Sequence, residues 1–207
     1  MRTTAGQIAV STAVAIAFAA AAAVPVAGAG VCWRGGARPD CDVFIVTEYG
    51  IQWRLDRVQD ARAGEPFDYQ VILEVGPMWN LGEQFALGGA VYATMKEETA
   101  LGIAARLRVR LGGGWSADVA PGLSLAVKSW DDDYAIDGPA ATARLLVGYD
   151  DWFGATLGLE QVRVRDGESE IDLYGGFQLG SYPGAAAAVL FFVLVAAVSS
   201  GLGVTGT

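Results

Sequence analysis

From Val43 to Leu179 apolar and polar residues alternate with a period of two, the signature of half-buried strands. Phe67, Tyr69, Val71, Leu73 and Val75 form one apolar row, with Asp68, Gln70 and Glu74 opposite. Leu101, Ile103, Ala105, Leu107, Val109 and Leu111 alternate with Gly102, Ala104, Arg106, Arg108 and Arg110. The pattern predicts eight strands, at 43–55, 67–81, 85–95, 101–111, 115–127, 140–149, 153–164 and 170–180. Most are longer than the usual five or six residues. The fold class this implies is all-β, an eight-stranded antiparallel up-and-down barrel, which closes on itself and leaves no edge. A two-sheet sandwich is the alternative.

The connections differ in length by position. Asn80 to Gln84, Gly112-Gly113-Gly114 and Asp150-Asp151-Trp152 are short. Arg57 to Pro66, Trp130 to Pro139 and Arg165 to Ser169 are longer and more polar, while Lys96 to Thr99 breaks the alternation by being short. Short turns at one rim and longer loops at the other are the habit of membrane barrels.

The two ends have a different character. Residues 1–29 read as a signal peptide, with Arg2, an apolar stretch from Ile8 to Val24, and Ala27-Gly28-Ala29 before the cut, or else as an uncleaved anchor. Residues 30–42 form a linker holding Cys32 and Cys41, the only cysteines, which an oxidising compartment would join as a disulfide. The barrel domain is assigned to 43–182. Residues 183–207 form an apolar C-terminal segment, long enough as a helix to be transmembrane.

Two barrels fit the alternation, and each is the other turned inside out. A lipocalin-like barrel points its apolar face inward, whereas a membrane barrel points it at lipid. The polar face favours the second, because Gly50, Gly76, Gly88, Ala90, Gly102, Ala104, Gly122, Gly148, Gly154, Gly158 and Gly176 all lie on it. A solvated sheet face has little use for such small residues, but a narrow lumen does. Trp79, Phe85, Trp115, Tyr149, Trp152, Phe153 and Tyr182 gather near the short-turn rim, where they read as interfacial aromatics.

Composition narrows the chemistry. Only 18% of the 207 residues are charged, below the roughly 25% of soluble domains. The net charge of −9 argues against a nucleic-acid partner, which needs clustered Lys and Arg. The chain has no histidine and so lacks the commonest general base and metal ligand. No catalytic, cofactor or metal site is expected, and the protein reads as a non-enzyme.

The stretch Gly76-Pro-Met-Trp-Asn-Leu-Gly-Glu-Gln-Phe-Ala-Leu-Gly-Gly-Ala-Val-Tyr92 resembles a strand, turn and strand of the small bacterial outer-membrane β-barrel proteins. The likeness covers about two-thirds of the chain and departs at the C-terminus, where those proteins end in a strand with a terminal aromatic residue. It implies membrane lipid as partner, the bacterial outer membrane as location, and a structural, surface or narrow-pore role. The alternative reading is an inner-membrane-anchored periplasmic β-domain, an accessory subunit of a larger membrane complex such as a respiratory or photosynthetic assembly. A third is a lipocalin-like carrier of an apolar ligand.

Within the lumen of such a barrel, Arg106, Arg108, Arg110 and Arg144 share the polar face with Glu48, Glu74, Glu160 and Asp172. These eight are the expected charge network, since a buried guanidinium requires carboxylates. Asp131, Asp132, Asp133 and Asp137 form an acidic, solvated loop, and Asp150-Asp151 is turn chemistry.

Overall fold

The computed structural model describes residues 31–33, 41–56, 69–96, 98–129, 140–163 and 169–199. The segment read as a signal or anchor, the longer connections and the acidic loop lie outside the described residues. The elements are β1 (Val31–Trp33), β2 (Val43–Arg54), β3 (Tyr69–Asn80), β4 (Phe85–Met95), β5 (Glu98–Gly112), β6 (Trp115–Ser129), β7 (Ala140–Tyr149), β8 (Phe153–Arg163), β9 (Ser169–Gly180) and α1 (Ser181–Ser199).

Strands β2 to β9 are the eight predicted strands, each antiparallel to the next. The sheet closes where β2 pairs with β9, from Glu48↔Gly180 to Arg54↔Tyr174. The sandwich is thereby excluded. β5 and β6 run a few residues beyond their predicted ends, because the ladder between them continues up to Glu98↔Ser129. Gly112, Gly113 and Gly114 all take positive φ between those strands, a backbone that L side chains resist, so the run is a turn.

The closure is staggered. β9 stops level with Glu48, and the lower part of β2 finds its neighbour elsewhere. β1, within the expected linker, pairs in parallel with Val43, Phe44 and Ile45, and Cys32 is disulfide-bonded to Cys41. The chain then leaves β9 through Ser181, at φ 56°, directly into α1, so the barrel ends at Gly180 rather than 182.

The described part of the C-terminal segment, up to Ser199, is helical, as expected of it, but it lies on the barrel's outer wall. Thr47 Oγ1 donates to the Ser181 carbonyl at 3.0 Å. Gly184 meets the wall closely, since a Cβ there would sit 2.9 Å from the Thr47 carbonyl oxygen. Ala188 packs on Leu73 and Ala93, and Phe191 lies 6.0 Å from the Tyr49 ring. The other side of α1 leaves Val189, Leu190 and Val193 exposed. Among the described residues no helix is long and apolar enough to cross a membrane.

The direction of the apolar face is now fixed. Leu87, Val91, Ile103, Leu107, Val119, Leu123, Leu145, Leu157 and Leu159 are all exposed on the outer wall. Glu48, Glu74, Arg106, Arg108 and Asp118 are buried inside it. This is the reverse of a lipocalin-like barrel.

Candidate functional site

Among the described residues the lumen is a concave, chemically distinctive region, and β5 divides it. The inward residues of β5 are Ala100, Gly102 and Ala104 in one half, then Arg106, Arg108 and Arg110 toward the short-turn rim. Three guanidiniums project from alternate positions of one strand because period two puts them on one face. Buried guanidiniums of this kind must be answered by carboxylates or other acceptors.

Arg106 lies near the middle and is the hub. Its Nε donates to Asp118 Oδ2 at 2.8 Å and its Nη1 to Glu74 Oε1 at 3.1 Å. Both of its Nη atoms also donate to the Glu48 carboxylate. Glu48 further accepts from Gln178, and Glu74 accepts from Arg144. Arg108 donates to Asp118 and, at 2.9 Å, to Asp151 Oδ1. Arg110 sits at the rim, donating to Asn80 Oδ1 and to the Glu83 carbonyl at 3.1 Å. Beneath it Phe44, Val46, Met78 and Ala86 form a small apolar floor.

The other half of the lumen is mostly uncharged. Tyr92 reaches over Gly102, and its hydroxyl shares hydrogen bonds with Ser124 Oγ at 3.1 Å and Thr142 Oγ1 at 3.2 Å. A Cβ on Gly102 would lie 2.4 Å from the Tyr92 ring, so the absent side chain makes room for the tyrosine. Gln70 donates to Gln52, which donates to Thr156. Nearer the long-connection rim charges return: Lys96 bonds Glu160 and Tyr174, both at 3.3 Å, while Arg54 holds Asp172 and Asp56. Burial draws the Lys96 ammonium down, but Glu160 and Tyr174 outweigh it and hold its pKa above the usual lysine value. Burial raises Asp56, but its hydrogen bond from Arg54 prevails and holds it below the ordinary aspartate value.

All eight residues of the expected network thus line the barrel, but not as one ladder. Arg106, Arg108, Arg144, Glu48 and Glu74 form a single cluster. Glu160 and Asp172 belong to the far rim, paired with Lys96 and Arg54. Two further members of the cluster, Asp118 and Asp151, lie outside the expected eight. Asp118 pairs directly across from Arg108, a register the Gly112–Gly114 turn implies. Asp151 takes the positive φ of a turn residue, as expected, and also turns its carboxylate inward.

The predicted aromatics all sit exposed on the outer wall or its rim. Trp115 and Tyr149 face each other across strands at 5.2 Å, and Phe153 stacks on Phe177 at 5.8 Å. Trp53 and Tyr69 mark the opposite rim on adjoining strands.

Chemically, the carboxylates in the middle of the lumen are already engaged by guanidiniums. Among the described residues no group of three or more His, Cys, Asp or Glu could hold a metal ion. Two cavities along the lumen are small, one of about 10 Å³ beside Arg108 and Asp151 and one of about 20 Å³ beside Gln70. The sequence matches no protein-family model and no curated protein. One solved structure, described as "De novo design of transmembrane beta-barrels", is similar at 9% identity with a TM-score of 0.36, covering 69% of this chain and 98% of that one.

Proposed function

We propose that this chain is a non-enzymatic membrane β-barrel whose outer wall faces lipid and whose closed lumen gives it a structural or surface role rather than that of a wide pore. The observation that carries the reading is the polarity of the wall. Among the described side chains, none of the outward strand positions is charged, whereas inward ones include Glu48, Glu74, Arg106, Arg108 and Asp118. In water such a surface would be one large apolar patch, far beyond what soluble monomers carry. From Tyr69 to Trp79 the wall rises about ten residues at ~3.3 Å each, which at a tilt of ~40° gives an apolar band of about 25 Å, as in outer-membrane barrels. Aromatic residues stand at both limits of that band. The bacterial outer membrane is the location this geometry fits best.

Two measurements test the reading. Native membranes are separated on a density gradient and the protein located, with the outer-membrane fraction expected. Banding with the inner membrane would favour an accessory subunit instead. The purified protein is also reconstituted with brominated lipids, and its tryptophan fluorescence is expected to be strongly quenched, since Trp53, Trp79, Trp115 and Trp152 are exposed on the wall and its rims. Unquenched fluorescence in a folded, reconstituted sample would sink the lipid-facing barrel.

A further inference from the structure

Gln70 is 3% exposed, and its Oε1 is the one buried side-chain polar atom among the described residues without a hydrogen-bond partner. Leaving a buried acceptor unanswered is costly, and such atoms are rare. Gln70 also lines the cavity of about 20 Å³ between the Arg106 cluster and the far rim, together with Gln52, Thr94, Arg144, Glu160 and Tyr174. The orphaned group and the space thus coincide.

The hydrogen bonds around it restrict what fits. Gln70 Nε2 donates to Gln52 Oε1 at 2.8 Å, and Gln52 Nε2 donates to Thr156 Oγ1 at 3.0 Å. Reversing Gln70 alone would set two oxygens against each other. Reversing both amides keeps the chain of bonds but turns a donor, rather than an acceptor, out of Gln70. Either way one polar group of Gln70 lacks a partner, and the ligand must be able to donate or accept. Charge restricts it further, because a cation would meet the Arg144 guanidinium and an anion the Glu160 carboxylate. Size sets the last limit, since a water needs roughly 10–15 Å³ of such space.

We infer that this cavity is an ordered-water site, with one or two waters bound to the Gln70 side chain between the two charged layers of the lumen. These waters lie on the long-connection side of Arg106, between its cluster and the Lys96–Glu160 pair. This does not depend on which membrane the barrel occupies.

The test uses the full chain folded in detergent micelles with 15N-labelled glutamine. Water-selective NOE and ROE spectra read contact between water and side-chain amides, and the sign of the ROE separates contact from exchange. The Gln70 amide is expected to show a water cross-peak of NOE sign. Gly158 offers the matching variant, because a Cβ there would project toward Gln52 and Arg144 at 3.5 and 3.6 Å, ordinary contact distances. Gly158→Ala puts a methyl group into the cavity and is expected to abolish or strongly weaken that cross-peak in an otherwise native spectrum. A Gln70 amide with no water contact in the wild type overturns the inference, as does a cross-peak that survives Gly158→Ala unchanged. Should the variant not fold, the wild-type spectrum decides by itself.

Discussion

The two halves of the lumen solve the same packing problem with opposite materials. Toward the short turns, Arg106 and Arg108 fill the space and each is bonded to more than one carboxylate. On the other side of Arg106, the described inward residues of β5 are only Ala100, Gly102 and Ala104, and the volume is taken by Tyr92 from the adjoining β4 and by the paired glutamines. A guanidinium carries several donors in a fixed fork, so a ring of carboxylates can satisfy it completely. Hydroxyls and amides make fewer bonds each and leave a gap beside Gln70. The lesson is that the charged half is densely cross-linked but fragile to the loss of any member, whereas the neutral half is more forgiving.

The contrast is broken most severely at the hub. Arg106→Met strips one cation from Glu48, Glu74 and Asp118 at once, and a loss of about 3–5 kcal/mol is expected for an opened buried ion cluster. Urea unfolding in detergent, followed by tryptophan fluorescence, measures it. A cost under about 1 kcal/mol would mean that the carboxylates are solvated or protonated instead.

Arg144 and Glu74 sharpen the same point as a pair. Each single change, Arg144→Met or Glu74→Gln, is expected to destabilise. The double variant should cost less than the two singles added together, by about 0.5–3 kcal/mol, as contacting residues do. Strict additivity would break the claim that the cluster acts as one unit.

In the neutral half the effects should be smaller. Gly102→Ala drives a methyl group into the Tyr92 ring and the Leu123 carbonyl, and about 1–3 kcal/mol of overpacking cost is expected. Tyr92→Phe loses only the hydroxyl shared with Ser124 and Thr142, worth about 1 kcal/mol. If Tyr92→Phe proved as damaging as Arg106→Met, the division of the lumen would be wrong.

The smallest effect belongs to the rim. Asp56 has its pKa lowered in the folded state by Arg54, so its contribution is present above the unfolded aspartate value near 3.8 and is lost as pH falls through the folded value. A shallow loss of stability below that pH is expected, and Asp56→Asn should flatten it. An unchanged acid limb in the variant would remove Asp56 from the account.

Much of this was open to a reading of the residues. The long alternating runs place all eight strands to within about two residues at nearly every end, because each carries enough apolar positions to show its period. The same parity puts Arg106, Arg108, Glu48 and Glu74 on one face, and the short turns put the aromatics at one rim. Asp118 was within reach, since a glycine turn between β5 and β6 sets it opposite Arg108. Asp151 was not, because a turn residue shows no parity and its inward reach depends on the barrel being closed. The roles of Lys96 and Arg54 at the far rim were equally hidden, as each finds its carboxylate on a strand distant in sequence.

Alternation by itself determined which residues share a face and how many strands there are. It could not determine which face is concave, since a sheet and its inside-out twin have the same period. Closure settled that: the face rich in glycine and alanine can be rolled inward to a small radius, and the leucines and aromatics cannot. Tertiary structure also placed the C-terminal run. An apolar stretch without charges is equally consistent with a membrane span, a buried helix or a strand, and only the bare wall of β2 and β3 beside the end of β9 gives α1 somewhere to lie.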